Sequence, residues 1–153
     1  MKSQYRFPAC LWVFLCMLAV KASAQDEIFL ENMTSIINAK LNDDGFKIED
    51  LAESLNMSYS SLYRKCQALT GKNLVDYIRL IRLKRAAVLI TKFGYTISEA
   101  AFAVGFNDPK YFSKCFKKQY DRSPKEFGKE ASKIGIDNYL KAHNLEQFSN
   151  SVN

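Results

Sequence analysis

The sequence is poor in the residues on which catalytic and metal sites depend. Its 153 residues include a single histidine, His143, and four cysteines. The cysteines form no Cys-x-x-Cys pair and no His/Cys cluster, so neither a zinc site nor a disulfide framework is predicted. The sequence also shows no Ser/His/Asp set, no paired acids in an apolar setting and no phosphate loop. We therefore predict no catalytic residue, no metal ligand and no cofactor, and we do not expect an enzyme.

Acidic and basic residues are divided unevenly along the chain. Residues 25–55 carry eight acidic and two basic side chains, whereas residues 57–129 carry five acidic and fifteen basic ones. The basic segment favours a polyanionic partner, and nucleic acid meets that description. A plain solvated basic surface explains the same charge equally well. The hydrophobic share of 48% and the aromatic share of 13% support packed cores and argue against disorder.

The first 24 residues differ from everything that follows them. Lys2 and Arg6 precede an uninterrupted apolar run of twelve residues, 9–20, and Ala22-Ser23-Ala24 come soon after it. This order is typical of a secretory signal peptide. The run is short for a membrane span, which needs about twenty residues. An uncleaved membrane anchor and a buried core helix are the alternatives.

Hydrophobic periodicity predicts an all-helical body. Residues 26–43 space their apolar side chains as one face of a helix. From Ile48 to Phe127, a pattern of two short helices joined by a tight turn is written twice, with a long helical pattern, 74–92, between the copies. Such helix pairs are the supersecondary unit of many DNA-binding proteins. Residues 131–142 are predicted to form one last helix, and the polar tail that begins at His143 is expected to be exposed and frayed.

Local capping signals place the ends of these helices. Ser58 and Asn73 are predicted N-caps in the first copy and the segment that follows it. In the second copy, Thr96 and Glu99 form a capping box, and Gly105 is placed where a residue with positive φ makes the turn. The nineteen-residue pattern between the copies predicts a rod of about 28 Å, close to the roughly 34 Å of one DNA turn.

Four spaced motifs give the chain a resemblance to a known family. They are Arg82-Leu83-x-x-Ala86-x-x-Leu89-Ile90, Ile97-x-x-Ala100-Ala101-x-x-Val104-Gly105-Phe106, Tyr111-Phe112-Ser113-Lys114-x-Phe116-Lys117-Lys118 and Ser123-Pro124-x-x-Phe127. With them, residues 29–129 resemble the AraC/XylS family of transcription regulators, and most of all the C-terminal output domain of hybrid two-component sensors. The resemblance implies an all-α fold in which a linker helix joins two homeodomain-like helix-turn-helix lobes.

The resemblance also implies which residues contact DNA, through the first turns of the two recognition helices. The candidates for base contacts are Ser60, Tyr63, Arg64, Pro109, Lys110, Tyr111 and Lys114. The candidates for phosphate contacts are Ser61, Lys65, Lys72, Ser113 and Lys117. Arg64 and Lys114 lead, because arginine and lysine engage guanine O6 and N7 in the major groove. Cys66-Gln67-Ala68 stands where the family has an aromatic-Lys-Lys run, which predicts a weaker phosphate grip by the first lobe.

These observations divide the chain into three parts. They are a signal-like segment at 1–24, a DNA-binding domain at 26–130 (lobe one 26–72, linker helix 73–93, lobe two 95–130), and a C-terminal helix and tail at 131–153. The predicted function is sequence-specific binding of double-stranded DNA, with two recognition helices in successive major grooves, to regulate transcription. RNA polymerase is a further candidate partner, and no small-molecule effector site is evident.

The first segment and the DNA-binding domain point to different compartments. A DNA-binding role requires the cytoplasm, whereas residues 1–24 predict export or membrane targeting. One alternative is therefore a secreted or membrane-anchored helical protein with no DNA role, a truncated relic of a hybrid sensor. Another is that translation starts downstream, for example at Met33.

Overall fold

The computed structural model describes the backbone of residues 9–41 and 46–149, and the side chains of residues 24–41 and 46–149. Within these ranges the chain forms nine helices and no strand, which confirms the predicted fold class. The helices are α1 (Ala9–Ala39), α2 (Ile48–Ser54), α3 (Tyr59–Thr70), α4 (Leu74–Lys92), α5 (Ile97–Ala103), α6 (Pro109–Tyr120), α7 (Pro124–Ile134), α8 (Ile136–Ala142) and α9 (Glu146–Ser149).

Helix α1 is longer than the helix predicted from residue 26. It runs without a break from Ala9 and ends at Ala39, short of the predicted end at Asp43. Its buried side chains, among them Met33 and Ile37, pack on α2 and α4. Lys2 and Arg6, the basic residues of the signal-like segment, lie outside the described residues. Over the part of the chain that is described, we find no helix with the length and hydrophobicity needed to span a bilayer.

The linker helix α4 is the centre of the hydrophobic core. It contacts α1 and α3 of lobe one, α5, α6 and α7 of lobe two, and both C-terminal helices. Its buried residues are Leu74, Ile78, Ile81, Leu83, Ala86, Ala87, Val88, Leu89 and Thr91. Because both lobes pack on one rigid helix, the position of each lobe is set relative to the other.

The C-terminal segment differs from its prediction. The prediction of a single helix over 131–142 is wrong, because α7 continues to Ile134. Gly135, with φ of +97°, then separates α7 from α8. The prediction of an exposed, frayed tail is also wrong as far as residue 149, because α9 forms there and the side chains of Leu145 and Phe148 are fully buried. Leu145 and Phe148, two apolar side chains three positions apart in a polar segment, are buried where this segment docks on α4.

This docking also uses basic side chains of α4. The Lys84 ammonium lies 5.4 Å from the centroid of the Phe148 ring, and Arg85 donates a hydrogen bond to the Phe148 carbonyl. Lys92 donates to the hydroxyl of Ser149. Burial lowers the pKa of Lys84 and of Arg85 from their ordinary values.

His143 is half-buried rather than exposed, so that expectation is also wrong. Its ring lies 4.6 Å from the ring centroid of Tyr139, 5.0 Å from that of Phe127 and 6.0 Å from that of Tyr120. Burial, reinforced by the positive charge of Arg122, lowers the pKa of His143. The histidine is therefore part of the aromatic packing that joins α8 to lobe two.

The lowered pKa of His143 predicts a pH dependence of stability. As the pH falls, the unfolded chain takes up a proton on this ring before the folded protein does. The stability that the neutral His143 ring contributes is therefore fully present above about pH 6.5, the ordinary pKa of histidine. It is lost as the pH falls through the lowered pKa of His143 in the folded protein. Urea unfolding at about pH 7.5 and about pH 5.5 measures this loss. The prediction would be contradicted if a His143→Asn variant lost as much stability between these two pH values as the unaltered chain does.

Burial of Phe148 predicts that the C-terminal segment contributes to global stability. We expect Phe148→Ala to lower the free energy of unfolding by about 3 kcal/mol, since it removes a fully buried ring. Phe102→Ala is the matched control, because the Phe102 side chain is 57% exposed and its loss costs at most about 0.5 kcal/mol. Chemical denaturation measures both. Similar small losses in the two variants would mean that the segment does not pack on α4.

Candidate nucleic-acid interface

The turns of the two helix pairs are built in the same way. In lobe one the amide of Met57 donates to the carbonyl of Ala52, and in lobe two the amide of Phe106 donates to that of Ala101, both at 2.9 Å. Each turn begins with a left-handed residue, Asn56 with φ of +51° and Gly105 with φ of +79°. The positive φ predicted for Gly105 is confirmed, and asparagine supplies the same conformation in lobe one.

The second turn has one residue more than the first. The Ser58 side chain accepts a hydrogen bond from the backbone amide of Ser61, and the Asp108 side chain accepts one from the amide of Lys110. Ser58 and Asp108 are therefore the N-caps of α3 and α6. The repeated turn bond precedes them, which identifies Asn107 as the additional residue. Beyond it, α3 and α6 direct their buried residues into the core of each lobe.

Gly105 also lies in a crowded place. A Cβ atom there would lie 2.9 Å from the carbonyl oxygen of Leu41 and 3.2 Å from Cζ of Arg82. Nη1 of Arg82 donates to the Gly105 carbonyl at 3.0 Å, while its Nε is buried and has no hydrogen-bond partner among the described residues. Burial lowers the pKa of Arg82. The turn of lobe two is thus packed between Leu41, which lies just past the end of α1, and the linker helix.

Helix α3 presents its three predicted base-contact residues to solvent. Ser60, Tyr63 and Arg64 are all exposed. The ring of Tyr63 stacks on that of Tyr59, with centroids 6.4 Å apart. Tyr59 is 46% exposed and was not predicted as a contact, although two tyrosines four residues apart on a helix could have suggested the pair.

Helix α6 presents Lys110, Tyr111 and Lys114 in the same manner. All three are exposed, and Lys114 has no ion-pair or hydrogen-bond partner within the described ranges. Pro109 is half-buried at the first position of the helix. Proline favours the first position of a helix and has no polar side-chain group to offer a ligand. Lys110, Tyr111 and Lys114 are therefore the candidates on α6 that can contact a ligand.

The five predicted phosphate-contact residues are placed in different ways. Lys72 and Lys117 are exposed. Ser61 accepts a hydrogen bond from the Ser58 hydroxyl at 2.9 Å, so its own proton remains available to a ligand. Ser113 donates its proton to the carbonyl of Pro109 at 2.9 Å and has no second proton to offer.

Lys65, the fifth, faces helix α1. Its Nζ lies 3.3 Å from Oδ1 of Asp26 and 4.4 Å from the centroid of the Phe29 ring. An ion pair and a cation–π contact therefore hold this ammonium against lobe one's first helix. Of the five, it is the one whose charge is already matched within the chain.

The described residues contain no group of three or more His, Cys, Asp or Glu side chains placed to hold a metal ion. Cys66 is buried beside Thr70, and burial raises the pKa of its thiol. The chemistry offered by the two recognition helices is therefore that of hydrogen bonding, positive charge and aromatic surface.

Comparison with known proteins matches this arrangement. Residues 51–130 fit the family model described as a helix-turn-helix domain. Over 108 residues the chain is 33% identical to Histidine kinase P4 of Formosa agariphila. That stretch covers 71% of this chain and 8% of the kinase, so the chain spans a small part of its relative's length.

Two solved structures share the fold. The C-terminal domain of the two-component response regulator yesN from Fusobacterium nucleatum is 31% identical with a TM-score of 0.55, covering 64% of this chain and 95% of that one. The DNA-binding domain of AdpA, a global transcriptional factor solved in complex with a target DNA, is 23% identical with a TM-score of 0.60. That match covers 70% of this chain and 96% of the domain.

The crowding at Gly105 predicts a large effect of a single methyl group. Gly71→Ala is the matched control, because Gly71 has φ of +68° and no atom within 4 Å of an added Cβ. We expect Gly71→Ala to cost about 1 kcal/mol of unfolding free energy through backbone strain alone. Gly105→Ala should cost at least about 1 kcal/mol more, because the Leu41 carbonyl must also move. Equal losses in chemical denaturation would show that the turn is not held against Leu41.

Proposed function

The chain belongs to the AraC-type helix-turn-helix family, and from that premise we propose that it binds double-stranded DNA sequence-specifically and regulates transcription. The observation that carries the proposal is that each lobe exposes basic and aromatic side chains at the start of its recognition helix. The DNA-bound domain with the same fold supports it. The family is one of DNA-binding regulators, and we assign the chain no enzymatic activity.

Base reading rests on the first turns of α3 and α6. Arg64 and Lys114 are exposed and can each engage guanine O6 and N7 in a major groove. Tyr63 and Tyr111 offer apolar edges to a thymine methyl group, or hydroxyls to a phosphate. Ser60 and Lys110 lie beside them, while the half-buried Pro109 serves the helix start.

Phosphate contacts fix the position of each lobe on the duplex. Lys72, Lys117 and the free hydroxyl proton of Ser61 are suited to this role. Ser113 and Lys65 are less suited, because their donors are engaged within the chain. Since α4 holds the two lobes at one distance, we expect the duplex to bend so that both recognition helices enter successive major grooves, at a cost on the order of a few kcal/mol. A duplex that does not bend is bound by one lobe alone.

We place this activity in the cytoplasm, where the DNA is. The signal-peptide interpretation of residues 1–24 stays a prediction without support from the comparisons, and the comparisons do not favour a secreted protein with no DNA role. RNA polymerase remains a candidate partner of a DNA-bound regulator.

A pair of lysines on α6 separates base reading from phosphate binding. Bound sites are first selected from random DNA with the unaltered chain. We then expect Lys114→Ala to weaken binding to the selected site by about 1–3 kcal/mol and to relax the preference at one base position. Lys117→Ala, three residues further along the helix, should weaken binding to all duplexes alike and lower the salt dependence.

Three results would count against these assignments. A uniform loss with Lys114→Ala would assign that side chain to phosphate. A relaxed base preference with Lys117→Ala would reverse the two roles. Failure of the unaltered chain to enrich any sequence over random DNA would overturn the proposed function itself.

A further inference from the structure

An open cleft lies between the two lobes, and neither the sequence motifs nor the contacts described above assign it a role. Its floor is the first half of α4, and its walls are the recognition helices α3 and α6. We call this cleft, of about 570 Å³, the interlobe furrow. The side chains that matter to its chemistry are Tyr63, Lys72, Asp76, Arg79 and Lys118.

Base-contact candidates of both recognition helices lie in or beside the furrow. Tyr63 of α3, a base-contact candidate, lies on one wall. Tyr111 of α6, another candidate, lines the adjoining hollow and shares Arg79 with the furrow. When two recognition helices enter successive major grooves, the sugar-phosphate backbone between those grooves crosses the space between the helices. The floor of the furrow then faces that backbone.

The charges in the furrow suit a phosphate. Lys72, Arg79 and Lys118 are basic, and Asp76 is the acidic residue among its lining side chains. Lys72 and Lys118 are exposed, and neither has an ion-pair partner within the described ranges. Three positive charges therefore face a single carboxylate, and this excess of positive charge favours the binding of a polyanion.

Arg79 is oriented before any ligand arrives. Its Nη1 lies 2.6 Å from Oδ1 of Asp76. Asp76 is itself held at the start of α4, since its Oδ2 accepts from Nδ2 of Asn73 and its amide donates to Asn73 Oδ1, both at 2.8 Å. A guanidinium has five N–H donors, so most remain free, and the Arg79 side chain is 37% exposed.

We propose that the interlobe furrow is a third DNA contact site, in which Arg79 and Lys118 bind phosphates of the strand that crosses between the two major grooves. Lys72 at the furrow edge adds to the same contact. Asp76 orients the guanidinium, so that little side-chain entropy is lost when the phosphate binds. The inference rests on the proposed function and extends it from the recognition helices to the linker helix. Contacts of this kind strengthen binding without adding base preference.

The experiment measures the salt dependence of binding by the full chain. Equilibrium affinity is determined across a series of NaCl concentrations for a selected duplex and for a scrambled duplex of the same composition. We expect Arg79→Gln to weaken binding to both by about tenfold at low salt. The slope of log affinity against log salt should become shallower by about 0.9, the value for one lost phosphate contact.

The chain supplies a matched control and an independent second variant. Arg122 forms a similar exposed pair, with Nε 2.8 Å from Glu130 Oε2, outside the furrow, so Arg122→Gln should leave affinity and slope unchanged. Lys118→Gln alters an exposed side chain that has no partner among the described residues, and it should lower the slope by the same amount as Arg79→Gln. The double variant should lower it by about twice that amount. If Arg79→Gln does not fold, Lys118→Gln carries the test.

The outcomes separate this inference from the proposed function. Unchanged slopes for Arg79→Gln and Lys118→Gln, with normal binding by the unaltered chain, would overturn the furrow site alone. A loss confined to the selected duplex would also overturn it, because that pattern belongs to base reading. If the unaltered chain binds neither duplex, the proposed function fails and the furrow site fails with it.

Discussion

Burial of the linker helix α4 determines the geometry of the whole molecule. Residues Ala86, Ala87 and Val88 at its middle are fully buried, and helices from both lobes and from the C-terminal segment pack around them. A helix so enclosed cannot bend or rotate without opening the core. The two recognition helices are consequently held in one relative position, and any duplex that binds both must adapt to that position.

The same burial gives the basic side chains of α4 different partners. In its second half, Lys84, Arg85 and Lys92 are engaged by Phe148 and Ser149, so their charge is directed at the protein itself. Arg82 donates to the Gly105 carbonyl in the turn of lobe two. Near its N-terminal end, Arg79 faces the open furrow between the lobes. The docked C-terminal segment thus leaves one side of the linker helix covered and the side between the recognition helices accessible.

The two lobes use one plan with different packing. Both turns carry the same backbone bond and a left-handed residue, but lobe two fills its core with Phe106, Phe112 and Phe116, where lobe one has Leu62 and Cys66. Lobe one is instead supported by α1, through the buried Met33 and the contact of Lys65 with Asp26. Each lobe is therefore stabilised from a different direction, one by α1 and the other by its own aromatic cluster and α7.

Local chemistry allowed much of this structure to be predicted from the sequence. Capping residues such as Ser58, Asn73 and Thr96 act within one helical turn, and the helices they begin start where the sequence placed them. Local signals do not indicate which long-range contacts a side chain makes, because the partners are far apart in the chain. Tertiary packing decided those contacts. Lys65 lies against α1, Phe148 is buried on α4, and Arg79 faces the furrow between the lobes. Each of these outcomes depends on which surfaces meet, and only the folded core determines that.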